Sequence, residues 1–404
     1  MDKARIVILG GGMVAGYAAK QMVELGLKGG DLTIVSADDE VPYERPPLSK
    51  GFLAGKDSDE SIRISPSEFY RDHGIDLRLR CEVARVDVGA KVLRMNRGGE
   101  LGFEKLVVAT GARVRVFDVP GAQLAGIHYL RSMDDSRRIR EHAGRAKRAV
   151  VVGGGFIGME VAAVLAQKRI ATTMILRSGR IWDQFFTPEM SRFFEDYYTA
   201  RGVRFERNAA IESFAGDGAV RSVRLAGGQE IPVDIVVAGI GVQPVTDVLA
   251  SSGIEVDDGV VVNEFLESNR ADVYAAGDVA NYYDVLFGKR RRVEHWDNAV
   301  SQGQQCGRLL MGERELFRHV PYFFSDVFDL SYEFWGDTSD ADQVVRRGDL
   351  TGKSFSVWWL RGEQPVAAFV MNRPDDEREA APKWIESKRR VVARELEDTT
   401  RALV

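Results

Sequence analysis

The sequence predicts an α/β fold in which one strand–turn–helix pattern is used twice and a small α+β domain closes the chain. Three observations carry this. An apolar run, Arg5-Ile6-Val7-Ile8-Leu9, breaks into the glycine turn Gly10-Gly11-Gly12 and re-emerges as a helical pattern reaching about Leu25. The same succession returns 143 positions later as Ala149-Val150-Val151-Val152, then Gly153-Gly154-Gly155-Phe156-Ile157-Gly158, then a helix through Glu160 to about Gln167. From about Pro321 the texture changes to a segment rich in aromatic residues with short strand-like runs.

The 404 residues, 45% hydrophobic and 28% charged, suffice for two or three domains. A net charge of −5 gives no general attraction to nucleic acid or to membrane. Cys81 and Cys306 are the only cysteines, so neither a disulfide framework nor a cysteine metal cluster is expected, and no metal is assigned. No apolar stretch approaches the roughly 18 residues of a membrane span. The chain enters a core strand at once, with no secretory signal ahead of it, so the expectation is a cytoplasmic protein.

Taken in order, Gly10 supplies the tight turn, Gly12 leaves room for a pyrophosphate to reach backbone, and Ala15 lets helix pack on strand. The helix N-terminus then directs its first N–H groups at the anion. Asp31 to Val35 reads as the second strand. Asp38, near its end, suits the ribose hydroxyls of an adenosine, although it lies farther on than the usual spacing of about 20 residues. Asp39 and Glu40 compete for that role. The stretch Val41 to Gly51, with three prolines, is a stiff irregular loop carrying Arg45 and Lys50. It reads either as a surface turn or as a loop laid over a bound cofactor, with Arg45 facing phosphates and Lys50 a ring system. Asp87 to Gly111 is a β-hairpin region ending in Ala109-Thr110-Gly111, where backbone can approach a ligand closely. A helix is predicted near Met133 to His142.

In the second glycine motif, Gly153, Gly155, Ile157 and Gly158 take the corresponding positions, and Val236 to Gly241 repeats the closing element of the first unit. The pattern is that of two Rossmann-like dinucleotide-binding domains, and two such domains in one chain imply two cofactors exchanging electrons. After the strand Thr172 to Leu176 there is no acid. Arg177 and Arg180 stand there instead, suited to a ribose 2′-phosphate and favouring NADPH over NADH, unless they are simply solvated. Val256 to Val262 and Asp272 to Ala276 read as strands. Asp278 follows the second of them, and on its residues alone reads as the N-cap of a helix rather than as a partner for a polyhydroxyl chain. The basic run Lys289 to Arg292 precedes Glu294-His295-Trp296 and a helix to about Met311. Strands are predicted at Ser331–Trp335, Phe355–Leu360 and Val366–Val370, with the aromatic residues as their core.

Together, Gly10–Gly16, Pro42–Lys50, Ala109–Gly111, Gly153–Glu160, Gly277-Asp278, Glu294–Ala299 and Pro321–Asp326 resemble the FAD-dependent pyridine-nucleotide oxidoreductases. Within them the chain resembles the branch holding ferredoxin reductases, monodehydroascorbate reductases and apoptosis-inducing factor. The resemblance implies a glutathione-reductase-like arrangement: an FAD domain over residues 1–115 and 247–318, an NAD(P)H domain over 116–246, and a C-terminal α+β domain over 319–404. It implies FAD on Gly10, Gly12, Ala15, Asp38, Arg45, Lys50, Thr110, Gly111, Asp278, Glu294 and Phe324, which sets aside the N-cap reading of Asp278. It implies NADPH or NADH on Gly153, Gly155, Ile157, Gly158, Glu160, Arg177, Arg180 and Gly241. Lys50, Glu160 and Glu294 are the implied catalytic residues, with Lys50 pairing with Glu160 beside the ring. The cysteine pair of the disulfide reductases is replaced by Pro46-Pro47-Leu48-Ser49, so electrons are expected to leave directly from the flavin. The implied acceptor is a ferredoxin-like redoxin, or a small radical or quinone, steered by the run Lys289 to Arg292. The alternative is a redox sensor like apoptosis-inducing factor. No nucleic-acid or membrane partner is expected, and the protein is expected to be a monomer or homodimer.

Overall fold

The opening strand, Asp2–Leu9, reads as a continuous apolar run because it is covered on both faces: Ile6, Val7 and Ile8 have no exposed surface. The computed structural model describes residues 2–403 and divides into two units, Met1–Arg45 with Asp59–Arg113 and Gln243–Phe323, and Pro46–Ser58 with Val114–Val242 and Phe324–Val404. No helix among the described residues is long and apolar enough to cross a membrane.

In the first unit the strand order is Asp76–Arg78, Leu32–Val35, Asp2–Leu9, Glu100–Val108, Val92–Met95, Val83–Asp87. Val273–Ala275 adds in parallel to Glu100–Val108. The strands up to Glu100–Val108 are parallel and the last two pairings antiparallel, as the predicted hairpin requires. Leu9 stands opposite both Val35 and Val108, so three strands end level. The chain leaves Leu9 where the strand order reverses, which is where an open α/β sheet forms its ligand crevice. Gly10 turns there with φ +124°, and a Cβ on it would lie 2.1 Å from the Ala109 carbonyl oxygen. The helix Met13–Glu24 follows and packs on the helix Trp296–Leu310. Their approach is close because Gly303 has no side chain: a Cβ there would sit 2.9 Å from the Val14 carbonyl.

The fold agrees with setting aside the N-cap reading of Asp278. Asp278 starts no helix: the turn Gly277–Val279 runs straight into the strand Ala280–Asp284. That strand pairs with Val260–Val262 and Lys289–Arg291 and buries Tyr282, so sheet pairing overrides the local helix-start signal.

The second unit contains a fully parallel sheet in the order Arg204–Glu206, Ala171–Ile175, Arg148–Val152, Ile235–Ala238, Ile127–Tyr129. The helix Phe156–Gln167 leaves its central strand through the second glycine turn. The same unit holds an antiparallel sheet of Leu330–Gly336, Gln364–Met371, Ser354–Arg361 and Gln343–Asp349, with Tyr322–Val327 at one edge. Its aromatic residues are not only its own core. Tyr332 lies 5.7 Å from Trp182 and 5.2 Å from Phe194, and Phe369 lies 5.4 Å from Phe186, between ring centroids. The aromatic texture thus joins the C-terminal sheet to residues 182–198. Nearby, the buried Arg347 pairs with Glu377 at 2.6 Å and donates to the carbonyls of Leu396, Asp398 and Arg401, tying down the last segment of the chain.

Gly10→Ala forces a left-handed backbone angle and a clash with a carbonyl that cannot move aside. The expected cost is about 3 kcal/mol, which lowers the melting transition of a unit of this size by roughly 6–12 °C in a thermal scan.

Candidate functional site

The first unit builds an anion cradle. Gly12 caps the helix Met13–Glu24 without any side-chain hydrogen bond, and no acid stands in the first turn. The first N–H groups therefore have no side-chain cap, in contrast to the helix Met133–Ala143, which begins with a Ser132/Asp135 capping box. A Cβ at Gly12 would meet nothing nearer than the Arg45 guanidinium, 3.9 Å away. Open backbone, a helix N-terminus and a fixed cation suit a pyrophosphate. Ala15 is fully buried beneath the turn.

Arg45 stacks over Tyr43 at 4.7 Å, and its neighbour Glu44 anchors the loop. Glu44 accepts from the Tyr17 hydroxyl at 2.5 Å and from the Trp296 indole, so the loop is tied to both packed helices. Burial, reinforced by the Glu44 carboxylate, pushes the Tyr17 phenol well above its ordinary range. Asp38 is held within its own loop: Oδ1 accepts from the backbone of Asp39 at 2.8 Å and Oδ2 from the Tyr43 hydroxyl at 3.0 Å. Thr110 donates to the Val245 carbonyl at 2.6 Å, and Gly111 turns with φ +65°. Asp278 lies half-buried in the turn after Val273–Ala275, and Gly277 donates its N–H to Gln302 at 2.7 Å.

The basic run is not an open patch. Arg290 donates to the Val262 carbonyl at 2.7 Å, Arg291 pairs with the buried Asp284 at 3.3 Å, and Arg292 binds Asp258 and Glu294. Arg291 and Arg292 expose only 16% and 11% of their side chains. Arg291 and Arg292 are thus turned toward acids of their own unit, whereas Arg290 is exposed and Lys289 half-buried. Glu294 is exposed and held by Arg292.

The second unit repeats the cradle. Gly155 caps the helix Phe156–Gln167 with no side-chain bond, and a Cβ on it would meet nothing within 4 Å. Gly158 lies against the turn itself: a Cβ there would be 2.2 Å from the Gly153 carbonyl. Ile157, in the first helical turn, is 41% exposed, unusual for a large apolar side chain beside a core strand. Gly241 turns with φ +96°, and its carbonyl accepts from the Arg115 backbone at 2.9 Å. The two arginines separate here. Arg177 is exposed, whereas Arg180 donates to the carbonyls of Phe186 and Asp183 and to Ser191 at 2.9 Å. Arg180, expected to meet a 2′-phosphate, braces the turn that follows the strand.

Seven positions beyond Gly153, Glu160 is 4% exposed on the same helix. Its Oε1 lies 2.8 Å from Lys50 Nζ and accepts from the Ser325 hydroxyl at 2.5 Å, while Oε2 accepts from Ser49. Lys50 Nζ also lies 5.2 Å from the centroid of the Phe324 ring. The loop that carries Ser49 and Lys50 is fixed by Ser136, which donates to the Leu48 carbonyl at 2.8 Å. Lys50, Glu160 and Phe324 are thus brought together as expected. Ser49, Ser325 and Glu44 were not found in the sequence: serines and a loop glutamate are too common to single out without knowing which distant residues meet them.

Residues 4–303 match the pyridine nucleotide-disulphide oxidoreductase family, and residues 322–404 match the reductase C-terminal family. The chain is similar to peroxisomal monodehydroascorbate reductase 4 of Arabidopsis thaliana, 36% identical over 95% of this chain and 82% of that one. It is 34% identical to monodehydroascorbate reductase of Pisum sativum over 95% of this chain and 94% of that one. Among solved structures it is similar to the ferredoxin reductase for the CYP199A2 system from Rhodopseudomonas palustris, with a TM-score of 0.94, 30% identity and coverage of 100% and 99%. It is also similar to putidaredoxin reductase in its covalent complex with putidaredoxin, with a TM-score of 0.94, 28% identity and coverage of 99% and 96%. Two uncapped glycine cradles, a buried lysine–glutamate pair beside the Pro46-Pro47-Leu48-Ser49 loop, and a match across almost the whole length lead to one conclusion: the chain belongs to the pyridine nucleotide-disulphide oxidoreductase family and is an oxidoreductase that works with FAD and a nicotinamide nucleotide.

Proposed function

We propose that this protein passes electrons from NAD(P)H through FAD to a one-electron acceptor, either a small radical of the monodehydroascorbate kind or a ferredoxin-type redoxin. The carrying observation is that both glycine cradles occur in a chain that sets the Lys50–Glu160 pair beside the Pro46-Pro47-Leu48-Ser49 loop, a loop with no thiol. FAD supplies the redox chemistry, accepting a pair of electrons with hydride and releasing them singly. The protein's share is binding, orientation and charge.

Residues 1–115 and 247–318 are assigned to FAD and 116–246 to the nicotinamide nucleotide. Gly12, Arg45 and the first turn of the helix Met13–Glu24 hold the FAD phosphates. Asp38 serves the ribose through whatever acceptor capacity its own loop leaves free. Thr110, Gly111 and Asp278 take the rest of the chain of hydroxyls. In the second cradle Gly155 and the exposed Ile157 receive the nicotinamide nucleotide, and Arg177 rather than Arg180 is the side chain available to a 2′-phosphate. Lys50 supplies positive charge to the ring chemistry, Glu160 holds that charge in place, and Phe324 supports it. Relatives named for a small radical support the first acceptor class, and a solved structure named for its redoxin complex supports the second.

The decisive experiment mixes the holoenzyme anaerobically with NADPH or NADH and then offers ferredoxin, monodehydroascorbate radical, quinone or oxygen. Bleaching of the flavin followed by rapid discharge into one of the first two is expected. A flavin that neither nucleotide bleaches would falsify the reductase reading. Lys50→Ala should slow bleaching about tenfold or more. Arg177→Glu should raise the KM for NADPH relative to NADH, and an unchanged ratio would remove Arg177 from coenzyme selection. Lys50→Met strands the buried Glu160 charge and should cost about 3 kcal/mol in urea unfolding. Adding Glu160→Gln should restore at least about 1 kcal/mol of it, since the stranded charge is gone.

A further inference from the structure

Glu160 has more partners than a charge pair needs. Lys50 alone neutralises it, yet two hydroxyls from distant segments also reach it, one to each carboxylate oxygen. Both serines are buried, Ser49 at 1% and Ser325 at 0% exposure, so neither hydroxyl has bulk water as an alternative. A hydroxyl has a single proton to give. The Pro46 carbonyl, at 3.5 Å from Ser49 Oγ, is too long to compete with a carboxylate for that proton. Two buried tyrosines, Tyr198 and Tyr332, stand near Glu160, and the Ser325 hydroxyl also meets the Tyr332 phenol. Tyr198 turns its hydroxyl away, to the Met159 carbonyl at 2.9 Å, and burial holds both Tyr198 and Tyr332 well above their ordinary range, so neither carries charge. Lys50 supplies the cation against the carboxylate, and the serines set its plane.

We propose that Ser49 and Ser325 are positioning residues for nucleotide reduction: by donating to opposite oxygens they fix the Glu160 carboxylate so that it holds Lys50 and presents one orientation to the nicotinamide end of the nucleotide. A carboxylate held by Lys50 alone turns about its last bond, and a cation on a flexible stem turns with it. Two hydroxyls on opposite oxygens stop that rotation. This rests on the reading of Glu160 as part of the nicotinamide site.

The test uses FAD-loaded wild type, Ser49→Ala, Ser325→Ala, the double variant and Glu160→Gln. Two ligands are titrated by calorimetry: NAD(P)+, which carries the nicotinamide, and the matching ADP-ribose, which does not. Flavin reduction is followed anaerobically to saturation. In the double variant NAD(P)+ should bind about tenfold more weakly and the limiting reduction rate should fall about tenfold, while ADP-ribose binding stays within about twofold. Each single variant should show part of the effect. Equal weakening of both ligands would mean that the serines only hold the fold together, and would overturn the proposal. So would a double variant that matches wild type in nucleotide binding and reduction. A wild-type flavin that neither nucleotide reduces would instead bring down the reductase reading, and this proposal with it.

Discussion

The buried carboxylate of Glu160 is the constraint around which the second unit is arranged. An ionised group at 4% exposure is tolerated only if its charge is matched and its lone pairs are used. That requirement draws Ser49 and Lys50 from a proline-stiffened loop, and Ser325 from a strand 165 residues away, to one helix. The helix itself is placed by the glycine turn, because Gly158 lets it lie against the Gly153 carbonyl. Sheet, turn, loop and C-terminal strand therefore meet at a single charge.

The parts of the molecule that were legible in the sequence are those governed by local rules. A glycine triplet between an apolar run and a helical pattern admits few geometries, so both cradles, with Gly12 and Gly155 open, stood where they were expected. The pairing of Lys50 with Glu160 was reached through resemblance, not through any local pattern. What escaped depends on tertiary convergence. Glu44 meets Tyr17 and Trp296 only because two helices pack through Gly303, and no window of sequence contains all of them. The N-cap reading of Asp278 failed for the same reason: the segment after it had two strands waiting to pair, and pairing outweighs a capping preference worth about 1 kcal/mol.

Charged residues were the least legible of all. Arg180 and the run Lys289 to Arg292 look alike in sequence to a cation that binds a ligand, yet each of the three arginines in that run meets a carbonyl or an acid of its own unit. An arginine's five donors serve equally well to brace a turn or to hold a phosphate. The distinction between Arg177 and Arg180 is made by whether a loop with spare carbonyls comes back to meet the side chain.

The contrast between helix starts has a thermodynamic consequence. Met133–Ala143 carries its own Ser132/Asp135 cap, whereas Met13–Glu24 and Phe156–Gln167 have no side chain doing that work. On the proposed assignment a nucleotide phosphate would supply what those two helices lack, so each cofactor would also be a structural ligand, with binding linked to folding by mass action. Coenzyme supply would then set not only how fast the protein turns over but how long each molecule survives.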